Sequence, residues 1–368
     1  MTPKLLQKIK DITVCNTEMD DQEILYQLKQ IIRAEYNHRS TASMPISELI
    51  AKKLEEITDG THRKEEIETG FEDLDKLIGG FHSGEFVVVG ARPGMGKTAF
   101  LLNLAQYICK KFPVLYISFD FLNMELINRF IMAAIEIDGQ ILQSGELDSK
   151  EIEKIHAQIS EFENSNLFIQ DNLDKSISAL REKCEQEVRN HGIKVLFIDY
   201  LQLITSYQHR RQYRELEVAH ISRELKSIAK ELNICIIASS QLSRALESRW
   251  GNEGKRPLLS DLRESGSIEQ DADKVLFIHR PEYYAITVDN EGNSLRGIAE
   301  IIVAKNRTGK TGNLFLRFVP QFAKFENIEA KDTFAFAAQR LVELDENCKK
   351  NDIVSKLISD LDLEISRS

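Results

Sequence analysis

The chain has 368 residues, of which 42% are hydrophobic and 29% charged, and a net charge of −10. That is the balance of a soluble globular protein, with enough chain for one large domain plus attachments or two ordinary domains. No apolar run reaches the ~18 residues of a membrane span, and residues 1–15 lack an apolar stretch with a small-residue cleavage site, so neither a span nor a signal peptide is expected. The five cysteines (Cys15, Cys109, Cys184, Cys235, Cys348) are scattered without a C-x-x-C pair. This argues against a zinc site or a disulfide framework and fits a reducing cytoplasm. The acidic balance alone disfavours a nucleic-acid partner, unless basic groups are gathered on one inner surface, as a ring or channel protein can do.

Residues 1–64 are polar and read as helical. Asp20, Asp21 and Glu23 precede Ile24, Leu25, Leu28, Ile31 and Ile32, the spacing of an amphipathic helix with an acidic first turn. A second helix starts near Pro45, carries Leu49, Ile50, Leu54 and Ile57, and is stopped by Asp59-Gly60. Neither has the apolar surface of a domain, so an arm packing on something else is expected. Between 65 and 327, short apolar runs at 86–89, 114–118, 167–170, 195–198, 234–239, 275–279 and 298–303 alternate with helical patterns at 98–109, 176–189 and 215–232. Continuous apolar runs suit strands buried on both faces, and the alternation predicts an α/β fold with a mostly parallel sheet flanked by helices. The later runs are separated only by loops, which predicts antiparallel additions at one edge. Residues 328–368 are acidic and read as a second helical extension, carrying Leu341, Val342, Leu344, Ile353, Leu357, Ile358 and Leu361.

The first strand leads into Ala91-Arg92-Pro93-Gly94-Met95-Gly96-Lys97-Thr98, with Ala99 opening the helix behind it. Strand, glycine-bearing loop and G-K-T at a helix start form a phosphate-binding loop. Its backbone N–H groups and the positive helix end cradle ATP phosphates; Lys97 reaches the β- and γ-phosphates and the Thr98 hydroxyl ligates Mg2+. The strict pattern wants glycine where Ala91 stands. About a hundred residues on, the run 195–198 ends in Asp199. A carboxylate at the C-terminal end of a parallel strand lies at the crevice where ligands bind, and Asp199 is read as the second magnesium-holding residue.

Thr69-Gly70-Phe71-Glu72-Asp73-Leu74-Asp75, Gly79-Gly80-Phe81, Ala91-Arg92-Pro93, Asp199-Tyr200-Leu201-Gln202-Leu203, Ser239-Ser240-Gln241-Leu242-Ser243-Arg244, the string from Asp261 through Gly266 to Asp273, Lys305-Asn306-Arg307-Thr308-Gly309 and Phe325-Glu326-Asn327 occur in order. Together they resemble the helicase domain of DnaB-family replicative DNA helicases, whose RecA-like core they would span from about 65 to 327. Alanine at position 91 is ordinary in that family. The resemblance implies an ATP hydrolase that moves 5′ to 3′ on single-stranded DNA and separates a forked duplex in replication, as a homo-oligomer, in the family a hexameric ring. It makes Gln241 the residue that senses the γ-phosphate, and Arg307 with Lys305 the finger pair reaching a neighbouring subunit's ATP. It places Arg263, Glu264 and Gly266 on DNA phosphates. The stretch 206–214, with Arg210, Arg211 and Arg214 among two tyrosines, reads as a DNA-contacting loop, with a contact to another subunit as the alternative.

Two departures stand out. The family's glutamate after the second strand, which orients the attacking water, is replaced by Asp120, expected beside the phosphate-loop strand and one methylene short; Glu125 is the next carboxylate along. About 45 residues precede a linker-like helix at 46–56, where the family carries a globular domain that docks primase. These features leave open an ATPase of the same fold that assembles on DNA without unwinding it.

Overall fold

The computed structural model describes residues 45–58, 66–145, 147–162, 165–171, 173–206, 214–249, 251, 253–262, 266–288 and 294–328. The helices expected near 20–32 and 341–361 lie outside the described residues, as do Arg210, Arg211, Arg263 and Glu264. The helix expected after Pro45 is present as α1 (Ile46–Thr58), with Ile46, Leu49, Ile50 and Leu54 exposed.

After α2 (Glu72–Ile78), the chain builds one sheet of nine strands in the order β3-β2-β4-β5-β1-β6-β7-β8-β9. The strands are β1 (Phe86–Ala91), β2 (Val114–Ser118), β3 (Leu167–Gln170), β4 (Val195–Asp199), β5 (Cys235–Gln241), β6 (Lys274–His279), β7 (Ile298–Asn306), β8 (Gly312–Val319) and β9 (Lys324–Asn327). β1 to β6 are mutually parallel, and β7, β8 and β9 add antiparallel at one edge, as the loop-only spacing of the later runs implies. The fold class expected from the sequence, a RecA-like α/β core, is the one observed.

The apolar runs are continuous because both faces of the sheet are covered. Side chains alternate across a strand. In β1, Val87 and Val89 point into a core with Phe100, Leu101 and Leu104 of α3 (Lys97–Ile108). Phe86 and Val88 point the other way, onto α7 (Ile177–His191) and α8 (Arg214–Leu232) through Leu180, Cys184, Ile221 and Leu225. Cys109, Cys184 and Cys235 are free, buried thiols. Burial pushes the Cys109 thiol up to about 11 and the Cys184 thiol up to about 12.

Three features were not anticipated. Between β2 and β3 lie α4 (Asn123–Ile135), α5 (Gly139–Ser144) and α6 (Ser149–Phe162). β8 and β9 extend the sheet; in β8 only Leu314, Leu316 and Phe318 turn inward, so its apolar signal is half that of a central strand. And β2 does not neighbour β1: β4 and β5 stand between them. The placement of Asp120 beside the phosphate-loop strand is therefore corrected. The sheet reverses its winding at β1, so strands consecutive in sequence are not consecutive in space.

Candidate nucleotide and nucleic-acid site

β1 ends at Ala91, and α3 begins six residues later at Lys97. The turn between them needs Gly94 at φ 79° and Gly96 at φ 95°, a backbone region that side chains disfavour. A Cβ on Gly94 would come within 2.7 Å of the Tyr283 ring. Pro93 and Gly94 are exposed, while Met95 and Ala99 are buried and peg the loop to the core. Arg92 is buried as well: its Nε donates to Glu247 Oε1 at 2.8 Å and its Nη1 to the Leu242 carbonyl at 2.8 Å. The Arg92 guanidinium thus ties the loop to the chain following β5, and only its backbone is left to line a phosphate.

Lys97 folds over the loop, its Nζ donating to the carbonyls of Ala91 at 3.2 Å and Arg92 at 3.4 Å. Burial lowers the pKa of this ammonium; Asp199 and Asp120 pull it back up, and Arg92 adds to the lowering. The Thr98 hydroxyl donates to Asp199 Oδ2 at 2.6 Å. The same carboxylate accepts from the Ser239 hydroxyl on Oδ1 at 2.5 Å and from the Tyr116 hydroxyl on Oδ2 at 3.3 Å. A buried carboxylate fixed by three hydroxyls, one of them from the G-K-T threonine, offers the hard oxygen donors that Mg2+ takes, its other ligands being phosphate and water. The residues present fit ATP with Mg2+. Ser239 and Tyr116 escaped sequence reasoning, because a hydroxyl in the middle of an apolar strand gives no signal until the strand beside it is known.

Asp120 follows β2 and is exposed. Just before it, Phe119 N donates to the Asp199 carbonyl at 2.8 Å, which brings the ends of β2 and β4 together. The charge of Asp120 acts on Lys97 and raises the Tyr200 phenol after burial has done so first. Asp120 thus reaches the site through β4, although its strand is not next to β1. Glu125 is otherwise engaged: its carboxylate accepts from Leu122 N at 3.3 Å, capping α4. Gln241 ends β5 opposite Ala91, one strand from the phosphate loop.

Lys305 and Arg307 lie elsewhere. β7 runs antiparallel to β6, so Asn306 pairs with Lys274 at the N-terminal edge of the parallel strands. Lys305 Nζ donates to the carbonyls of Glu269 at 2.5 Å and Ala272 at 2.8 Å, at the end of α9 (Gly266–Asp271). Burial, then the charge of Arg307, lowers its pKa. Arg307 is exposed, donates to the Gln270 carbonyl and meets Asp273 Oδ1 at 3.4 Å. Asp273 Oδ2 in turn accepts from Phe86 N, at the first residue of β1. The phosphate loop begins past the last residue of β1, roughly 16 Å away at about 3.3 Å of rise per residue. The pair is remote from its own chain's phosphate loop.

Of the described nucleic-acid candidates, Gly266 is exposed at the start of α9. Arg214, the first residue of α8, is engaged within the chain: its guanidinium pairs with Glu217 and donates to the Gln202 carbonyl at 2.6 Å.

The family profile described as the DnaB-like helicase C terminal domain matches residues 66–327. This chain belongs to that family. The family match begins at the bridge of Ile67 with Phe81 and ends with β9, so it takes in the whole described sheet. Among relatives, the Replicative DNA helicase DnaC of Bacillus subtilis (strain 168) is 38% identical over 308 residues, covering 82% of this chain and 66% of the relative. The Replicative DNA helicase DnaB of Rickettsia typhi is 38% identical over 334 residues, covering 83% of this chain and 66% of the relative. The chain thus spans just under two thirds of the length of these relatives. Among solved structures, one described as an ATPase domain superposes with a TM-score of 0.71 at 35% identity, over 78% of this chain and 100% of that one. A DnaB-like replicative helicase, described with its interactions with primase, gives 0.71 at 33% identity, over 89% of this chain and 76% of that one. Among the described residues, no helix is long and apolar enough to cross a membrane.

Proposed function

We propose that the chain is an ATP-driven DNA helicase that moves on single-stranded DNA and unwinds duplex during replication. The observation that carries this is the joining of Thr98 and Asp199 across 101 residues of sequence at the mouth of the phosphate loop, with Lys97 folded beside them. When bound, ATP with Mg2+ would supply the scissile phosphoanhydride and the charge neutralisation that phosphoryl transfer needs. Lys97 and the loop N–H groups hold the phosphates, Thr98 and Asp199 hold the metal, and Asp120 orients the attacking water. Gln241 senses the γ-phosphate from the end of the strand neighbouring β1.

Arg307 and Lys305 serve a neighbouring subunit's ATP, and their place at the far edge of the sheet supports this. A site completed in trans requires an oligomer, and a hexameric ring is the form we propose. Gly266, with Arg263, Glu264, Arg210 and Arg211, is assigned to the DNA strand. We further propose three parts for the chain: a helical arm at 1–64, the ATPase core at 65–327 and an acidic helical extension at 328–368. The scattered cysteines suit a cytoplasmic setting.

The test is strand displacement on a forked duplex, with ATP turnover followed in parallel. The parent should do both, and Lys97→Ala should do neither while keeping its fold by circular dichroism. ATP turnover without strand displacement would mark a motor that does not unwind. Parent-like turnover in Lys97→Ala would overturn the site itself.

A further inference from the structure

β4 stops pairing with β5 before the site is reached. Their last pair is Ile198 with Ala238, whereas β5 continues through Ser239, Ser240 and Gln241 against β1. The backbone of Gln241 is therefore held by a strand on one side only. On the other side the Gln202 side chain takes the strand's place. Its Oε1 accepts from Gln241 N at 3.1 Å, and its Nε2 donates to the Gln241 carbonyl at 3.3 Å and to the Ser240 hydroxyl at 2.8 Å. A carboxamide has one acceptor oxygen and a donor nitrogen in one plane, so it can stand in for a peptide group in a ladder.

Gln202 sits on the short 3-10 turn Leu201–Leu203 that follows β4. Its own carbonyl accepts from Arg214 Nη2 at 2.6 Å. Arg214 is paired with Glu217, which is buried and accepts from Ser206 N at 2.8 Å. Ser206 and Arg214 are the two ends of the basic, tyrosine-bearing stretch. One buried carboxylate thus fastens both ends, and one arginine fastens that frame to the residue holding Gln241.

We propose that Gln202 is a positioning residue: it sets the height of Gln241 against the nucleotide, and through Arg214 it makes that setting depend on the frame formed by Ser206, Arg214 and Glu217. The proposal rests on the ATPase reading above. It reassigns Arg214 from a phosphate contact to a relay between that frame and the nucleotide site. A lone brace would need only to fill space. This one matches donor to acceptor at every bond, so its function depends on hydrogen-bonding pattern and not on volume.

The experiment compares ATP turnover by the full chain, with and without oligo(dT), in the parent and in Gln202→Met, Gln202→Glu and Arg214→Lys. Gln202→Met keeps the volume and loses every bond; kcat should fall on the order of 10- to 100-fold, as sub-ångström misplacement does, with KM for ATP and affinity for oligo(dT) unchanged. In Gln202→Glu the carboxylate accepts from Gln241 N but cannot donate to its carbonyl. Its kcat relative to Gln202→Met should rise as the pH falls toward the carboxyl range, where a protonated glutamate can donate. Arg214→Lys loses the planar fork that reaches Glu217 and Gln202 together; stimulation by oligo(dT) should drop while oligo(dT) affinity stays at the parent level.

Parent-like kcat in Gln202→Met overturns the proposal. So does a kcat loss matched by a KM rise with no pH-dependent recovery in Gln202→Glu. An Arg214→Lys chain that loses oligo(dT) affinity instead would return Arg214 to the DNA surface and break the relay. A parent with no ATP turnover would count against the function proposed above, before any variant is compared.

Discussion

At the scale of single residues, the water-orienting role proposed for Asp120 would decide how fast the site can run. A water held in line with the scissile bond needs a carboxylate at fixed reach, and aspartate puts its oxygens one methylene further back than glutamate. Asp120→Asn keeps the size and loses the charge, and should lower kcat for ATP by about 10²-fold or more with ATP binding intact. Asp120→Glu should match or exceed the parent. Full activity in the asparagine variant would leave the water without an assigned base; Glu125 is a poor substitute, since its carboxylate caps α4. The sequence made Lys97, Thr98 and Asp199 legible because each belongs to a local string whose chemistry is fixed by spacing. It could not show that Arg92 turns away from the phosphates to Glu247, since that depends on a residue 155 positions further on.

At the scale of elements, β1 and β6 are joined at their starts by a buried ion pair. Lys274 is fully buried, and its Nζ lies 2.6 Å from both oxygens of Glu85. Beside it, Lys226 and Arg307 share Asp273, whose other bond goes to Phe86 N. Removing one partner of such a pair strands the other charge in the core. Lys274→Met should therefore cost about 3–5 kcal/mol, read as a lowered midpoint in urea. Adding Glu85→Leu to Lys274→Met should recover part of that loss, because no buried charge is then left unpaired, although the His82 N–H loses the carboxylate it donates to at 3.0 Å. A double variant as unstable as the single one would mean that the pair also sets strand register. β1 to β7 were readable as apolar runs to within two or three residues at each end. The helices between β2 and β3 were not: α4 is apolar at most of its positions and buries Leu126, Phe130, Ala133 and Ile135, so its buried face does not stand out, and α5 has only six residues.

At the scale of the whole molecule, the sheet keeps Arg307 and the phosphate loop on opposite edges, and a ring would bring them together between subunits. Arg307→Ala should bind ATP and hydrolyse it poorly. Mixed with Lys97→Ala, it should recover part of the turnover, since some interfaces then pair an intact loop with an intact finger. Subunit mixing would be checked by differently tagged chains. Mixing without recovery would count against a shared site.

The sequence by itself determined the α/β class, the glycine-bearing loop between β1 and α3, the antiparallel edge, and Thr98 and Asp199 as the pair proposed to hold magnesium. These follow from local facts: the period of apolar residues, the glycines a tight turn requires, and an acid closing a buried strand. Only the tertiary structure decided which strands lie side by side. That order moved Asp120 away from the neighbourhood of β1 and yet brought it to the site through β4. It placed the Ser239 and Tyr116 hydroxyls on Asp199, turned Arg214 inward to Gln202, and set Lys305 and Arg307 at the far edge of the sheet. Strand order is a sum over pairings between distant residues, from Val195 with Cys235 to Val87 with Lys274, and over the helices that cover both faces. No short window of sequence contains that sum.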